Sequence, residues 1–257
     1  MNTSTASTTR VALWLRLFLL GLFACVAASP FLFHFLAATV ARSGYVQRVP
    51  IAVLVAIAIA QVSLYIGLAA WAFVALGPYV DLDAPVLRGE RRLRDVLAPS
   101  ITAGSIAALL IVATSLVLRP FLPAQFLQAE SGALDAIGGS LLGISGAFYG
   151  GIIEEMMMRL GLMTLLAFAF SKASVPKAVA IQGANLVTAL LFGLGHLPAM
   201  HSLHLPFTPM LVTYIVLANA IGGIVFGWLY ARRGIESAMV AHFTCDVWIH
   251  VVLRSFL

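Results

Sequence analysis

Six side chains capable of chemistry stand where the chain is otherwise apolar. Glu154, Glu155 and Arg159 interrupt GGIIEEMMMRLGLM, His196 lies in LLFGLGHLP, and His242 and Asp246 share MVAHFTCDVWIH. A charged group in mid-bilayer costs ~2.5–3.5 kcal/mol on insertion scales, so each is a candidate functional residue. Glu155 and Arg159 are four residues apart, share a helix face and can neutralise each other. Glu154 lies about 100° further round the helix and has no such partner. His242 and Asp246 are also four apart, the spacing at which a carboxylate accepts a ring N–H and fixes the imidazole tautomer. Between Ala178 and Ala231 there is no Asp, Glu, Lys or Arg, which makes His196 the sharpest polar feature of that stretch. One unpaired glutamate, a histidine from a second helix and a His–Asp pair from a third can converge on a water molecule.

The elements that must position these groups are membrane helices. Of 257 residues 61% are hydrophobic and 10% charged, against roughly 25% charged in a soluble domain. That composition excludes a cytosolic globular protein. Cys25 and Cys245 both sit in apolar runs, which excludes a disulfide framework and a Cys-rich zinc motif. Seven apolar runs read as spans, at 17–41, 50–78, 100–119, 137–170, 178–204, 209–231 and 235–253. The first is expected to be uncleaved and kinked at Pro30. The fold class expected is an all-α polytopic bundle of about seven transmembrane helices, one domain over 1–257, with its motif-bearing core at about 137–253.

The net charge of +5 reports orientation rather than nucleic-acid binding. With alternating sides, Arg10, Arg16, Arg88, Arg91, Arg92, Arg94, Lys172, Lys177, Arg232 and Arg233 fall on one side. Arg42, Arg48, Arg119 and Arg254 fall on the other, where the 120–136 segment also carries Glu130 and Asp135. The positive-inside rule then places the N-terminus in the cytoplasm and the C-terminus outside, in a plasma or inner membrane for a bacterial host. The RGERRLRD stretch is expected to lie against anionic headgroups. Gly139/Gly143, Gly146/Gly150 and Gly223/Gly227 are expected at helix contacts, which makes the fourth and sixth spans central. His34, His201, His204 and His250 are given no role.

Three ordered motifs carry a resemblance. Glu154-Glu155-x-x-x-Arg159, Phe192-x-x-x-His196 and His242-x-x-x-Asp246 resemble the pattern of the CPBP, or Abi, family of intramembrane proteases, which includes the CAAX prenyl proteases. The resemblance covers about 137–250 and implies peptide-bond hydrolysis within the membrane, on a peptide or membrane-protein substrate. By that resemblance Glu154 is the general base that activates water, and His196 and His242 hold the water and the developing oxyanion. Glu155 with Arg159 anchors the helix, and Phe192 supports it. Where CAAX enzymes carry Asn this chain has Asp246, which accepts but cannot donate and is assigned to orienting His242 or to a metal. Two histidines and a carboxylate also resemble a catalytic zinc site, so Glu154, His196, His242 and Asp246 are its candidate ligands. A metal-free, glutamate-activated water uses the same groups, and both alternatives stand.

Rival readings have their own residues. Gly143-Ile-Ser145-Gly146 matches a rhomboid serine-protease motif, and Cys245 is a thiol three residues from His242. A proton-coupled transporter would use Glu154, Arg159 and the histidines as a relay. A non-catalytic membrane scaffold would use none of them.

Overall fold

The computed structural model describes residues 3–43, 48–130, 136–202 and 205–253. Arg254, Asp135 and His204 lie outside the described residues, as do the side chains of Glu130 and His201. All regular secondary structure among the described residues is helical, and the all-α polytopic membrane fold holds. Helix α1 spans Thr3–Ala27, α2 Ser29–Ser43, α3 Ile51–Leu76 and α4 Arg94–Leu118; a short α5 covers Ala124–Glu130. A long rod then runs from α6 (Ala136–Phe148) through two π-helical stretches, Tyr149–Glu154 and Met156–Met163, into α7 (Thr164–Lys172). It is followed by α8 (Lys177–Gly195), α9 (Leu197–Ser202), α10 (Pro209–Arg233) and α11 (Ile235–Val247), which ends in a π turn at Trp248–Val252.

Among the described residues five helices are long and apolar enough to cross a membrane: Arg10–Ala27, Ile51–Tyr79, Arg94–Phe121, Lys177–Met200 and Pro209–Arg233. The other two expected spans, 137–170 and 235–253, are helical as well. They are the two that carry the buried charges and the π turns.

The first apolar run breaks where Pro30 predicts. Pro30 has no N–H to give the carbonyl of Val26, and the Ser29 hydroxyl donates to that oxygen instead at 2.8 Å. Ser145 of α6 repairs the next bond along: its hydroxyl donates to Ala27 O at 2.9 Å and accepts from Phe31 N–H at 3.1 Å. A side chain from the rod is thus spliced into the α1–α2 joint.

Helix α11 is the axis of the bundle. Ile235, Ser237, Ala238 and Ala241 are fully buried, and α4, α6, α10 and the π-helical rod surround the helix. These neighbours come close because they present glycine. A Cβ on Gly104 would strike the carbonyl of Ala241, one on Gly143 the carbonyl of His250, and one on Gly151 the backbone of Phe243. Gly193, Gly223 and Gly227 do the same work between α8 and α10.

The 80–87 segment, just ahead of the RGERRLRD stretch, packs onto the bundle. Val80, Leu82, Ala84 and Pro85 are buried, so this part tucks over the start of α11. Ile235 N–H donates to Asp83 O at 3.0 Å, Leu87 N–H donates to Glu236 Oε1 at 2.8 Å, and Arg16 donates to Leu87 O at 2.6 Å. Apolar residues alternating with acids let one face of the segment bury while the other pairs. Arg91, Arg92 and Arg94 stay exposed.

Candidate active site

The rod, α8 and α11 each bring part of one cluster. In the rod, π-helical turns close bonds to the fifth residue rather than the fourth, so successive side chains diverge by less than the ~100° of an α-helix. Glu154 and Glu155 therefore both reach His242. Glu155 Oε1 accepts from His242 Nδ1–H at 2.8 Å, while Glu154 Oε2 lies 3.9 Å from Nε2 of the same ring. Glu155 Oε1 also sits 2.8 Å from Arg159 Nη1, as the four-residue spacing predicts. Glu155 and Arg159 are 0% and 1% exposed, so this ion pair is sealed from solvent. The Arg159 guanidinium lies over the rings of Phe192, at 4.8 Å, and Phe226, at 5.7 Å, which gives its charge a second partner.

His196 caps the C-terminal end of α8, and the chain resumes as helix at Leu197, past Pro198. Its Nδ1–H donates to Phe192 O at 2.8 Å, since a carbonyl can only accept. Nε2 then faces Glu154 Oε1 at 4.0 Å. Asp246 sits on the same side, with Oδ1 3.5 Å from His242 Nε2. The Nδ1–H of His242 thus goes to Glu155, and Asp246 faces the other nitrogen. In contrast to the sealed ion pair, the side chains of Glu154, His196 and Asp246 are 18%, 34% and 16% exposed.

The result is an open ring of four groups, His196, Glu154, His242 and Asp246, with successive gaps of 4.0, 3.9 and 3.5 Å. Those gaps exceed a hydrogen bond, and they suit atoms that share one oxygen at ~2.8 Å each. Gly150 leaves the room: a Cβ there would collide with Asp246 Oδ2 and lie 3.1 Å from His242 Nε2. Two imidazole nitrogens and two carboxylates are donor types that zinc accepts. Yet among the described residues no three His, Cys, Asp or Glu side chains stand together as a metal-holding group. As placed, these residues do not form a zinc cage.

Aromatic rings fix the imidazoles. Phe226 stacks on His242 with centroids 4.4 Å apart and planes 19° from parallel. Phe192 meets His196 and His242 edge-on, at 4.7 and 5.7 Å. Phe226 and Gly150 are the site residues that sequence reasoning missed: one is a phenylalanine among 16, the other a glycine assigned to helix contact. The remaining candidates fall elsewhere. Ser145 is committed to the α1–α2 joint, Cys245 is buried in α11, and His34 is exposed on α2.

Residues 137–248 match the family model described as Type II CAAX prenyl endopeptidase Rce1-like. No curated protein and no solved structure matches the chain. The matched segment begins in α6, ends at the C-cap of α11, and contains all three motifs and every group of the ring. Over these residues, fewer than half of its length, the chain is similar to CAAX-type membrane proteases, which supports the resemblance that the three motifs carry.

Proposed function

We propose that the protein hydrolyses a peptide bond presented within or at the membrane, using a water activated by Glu154. The observation that carries this reading is the approach of one carboxylate to two imidazole Nε2 atoms, at 4.0 and 3.9 Å, each ring held through its Nδ1–H. Glu154 takes a proton as the water oxygen attacks the carbonyl carbon. A neutral ring offers Nε2 as acceptor to the water, and a protonated ring offers Nε2–H to the tetrahedral oxyanion. When the C–N bond breaks, the proton held on Glu154 passes to the leaving amine. Glu155 and Arg159 keep His242 in place, and Asp246 stands beside Nε2.

The substrate class is a peptide or a membrane-protein segment. The matched family's description adds a prenylated CAAX end as the first substrate to try.

Glu154→Gln tests the mechanism. In purified, reconstituted protein it is expected to lower cleavage of a farnesylated CAAX reporter and of an unmodified membrane-segment reporter at least 1,000-fold, with an unchanged melting temperature. Retained cleavage overturns the glutamate mechanism. A wild-type protein that cleaves neither reporter but carries protons across liposomes in a Glu154-dependent way is a transporter instead. Zinc retained at one per chain, with cleavage lost to chelators and restored by zinc, would put a metal at these same atoms.

A further inference from the structure

At the end of the bundle where α10 turns into α11, a cavity of about 230 Å³ opens between that turn and the 81–91 segment. Asp81, Asp83, Glu90, Arg91, Tyr230 and Arg233 are in its wall, with Arg232 at its edge. The three acids of this wall are all paired, though with only two cations. Lys177 Nζ holds Asp81 at 2.7 Å, and Arg88 holds both Asp83, at 3.3 Å, and Glu90, at 2.8 Å. Arg91 and Arg233 form no ion pair with any carboxylate among the described residues, and Arg232 lies over the Trp228 ring at 5.7 Å. With one carboxylate charge left over by Arg88, the three arginines give the cavity a net positive charge of about two.

Beside it, on the flank between α8 and α10, runs a second hollow of about 330 Å³ lined by Ala178, Ile181, Gln182 and Trp228. The two hollows share Ala231 and Arg232. One is charged and sits at the end of α10; the other is largely apolar and lies along the α8–α10 flank, on helices apolar enough to cross a membrane. A tryptophan at the junction is the residue type that marks the headgroup level. A ligand that fits both has a phosphate at one end and hydrocarbon at the other.

We infer that this pair of hollows binds an anionic phospholipid, its phosphate between Arg91, Arg232 and Arg233 and an acyl chain along the α8–α10 groove past Trp228. The shared chemistry is a phosphate monoanion, and the groove selects the lipid over a soluble phosphate. Bound there, the lipid joins the 81–91 segment to the turn at Gly234, where α11 begins.

The test uses the full-length protein in detergent micelles, with native mass spectrometry as readout. Probes are phosphatidylglycerol, phosphatidylcholine of the same chains, and glycerol phosphate. Phosphatidylglycerol is expected to be retained at least tenfold over phosphatidylcholine, and Arg91→Ala/Arg233→Ala to bring it down to the phosphatidylcholine level. Trp228→Ala is expected to weaken phosphatidylglycerol severalfold and leave glycerol phosphate unaffected. Arg233→Gln alone, which keeps a planar polar group, is expected to lose severalfold with an unchanged melting temperature, so a folding failure of the double variant does not decide the result. Equal retention of the two lipids, or a double variant that retains phosphatidylglycerol, overturns the inference. Glycerol phosphate that displaces phosphatidylglycerol at equal concentration overturns it in favour of a soluble phosphate.

Discussion

His242 faces consecutive glutamates, hydrogen-bonded through Nδ1–H to Glu155 and with Glu154 3.9 Å from Nε2, and that arrangement separates the roles of the pair. Glu155, fully buried, balances Arg159 and accepts from Nδ1–H. Removing one member of a buried ion pair costs ~3–5 kcal/mol, because the other charge is left unpaired. Arg159→Ala is therefore expected to lower the melting temperature sharply, measured by a thermal unfolding assay in detergent. Glu155→Gln/Arg159→Met removes both charges and is expected to recover most of that loss. Asp246 makes a finer test. Asn at 246 keeps the size, can still lie beside Nε2 and adds an N–H donor, so Asp246→Asn is expected to stay within tenfold of wild-type cleavage while Asp246→Leu falls at least a hundredfold. At this scale much of the site was legible: an ionisable residue in an apolar run has few structural reasons to be there, and the Glu155–Arg159 spacing gave their pairing directly. The partner of Nδ1 was not. Four-residue spacing pointed to Asp246, and only the widened π turn, which no local residue pattern announces, brings Glu155 to that nitrogen.

Helices of this bundle meet backbone to backbone, so glycine decides where each can lie. Gly104 touches Ala241 one residue before His242. Gly104→Val is expected to cost ~1–3 kcal/mol from overpacking against a carbonyl that cannot swing aside. The measurement is the unfolding midpoint together with reporter cleavage, and both are expected to fall because α11 carries the site. Ser145→Ala tests a different joint. It leaves a half-buried N–H and C=O without the hydroxyl that bridges them, a loss of about 1 kcal/mol, with cleavage at a temperature well below the midpoint expected within twofold of wild type. Unchanged stability with abolished cleavage would instead make Ser145 a nucleophile. The break between α1 and α2 was legible from Pro30 alone. The splice was not, because Ser145 is 114 residues from Phe31 and its pairing is settled by how the rod packs.

Across the whole molecule, scarcity of charge separates edges from centre. Most Lys and Arg residues mark one membrane face, and the positive-inside rule predicts that this face is cytoplasmic. Single cysteines at Arg10 and Arg88 are expected to resist a membrane-impermeant thiol reagent in intact cells and to react after permeabilisation, whereas one at Val49 reacts in both. Cys25 and Cys245 are buried and contribute little background. Labelling in the reverse pattern would invert the topology. The helical character and order of the long elements were largely readable from hydropathy; their arrangement around α11 was not, because lipid-facing and protein-facing surfaces are equally apolar in this sequence. That arrangement has a temporal consequence. Glu154 and His196 leave the ribosome before α11, while His242 and Asp246 arrive with it, and its slot is lined by Gly104 of α4, Gly143 of α6 and Gly151 of the rod, all on elements already made. A nascent chain therefore carries only half of the candidate site until this helix threads home, and under the mechanism proposed above the unfinished protein is expected to stay inert beside the membrane proteins being assembled around it.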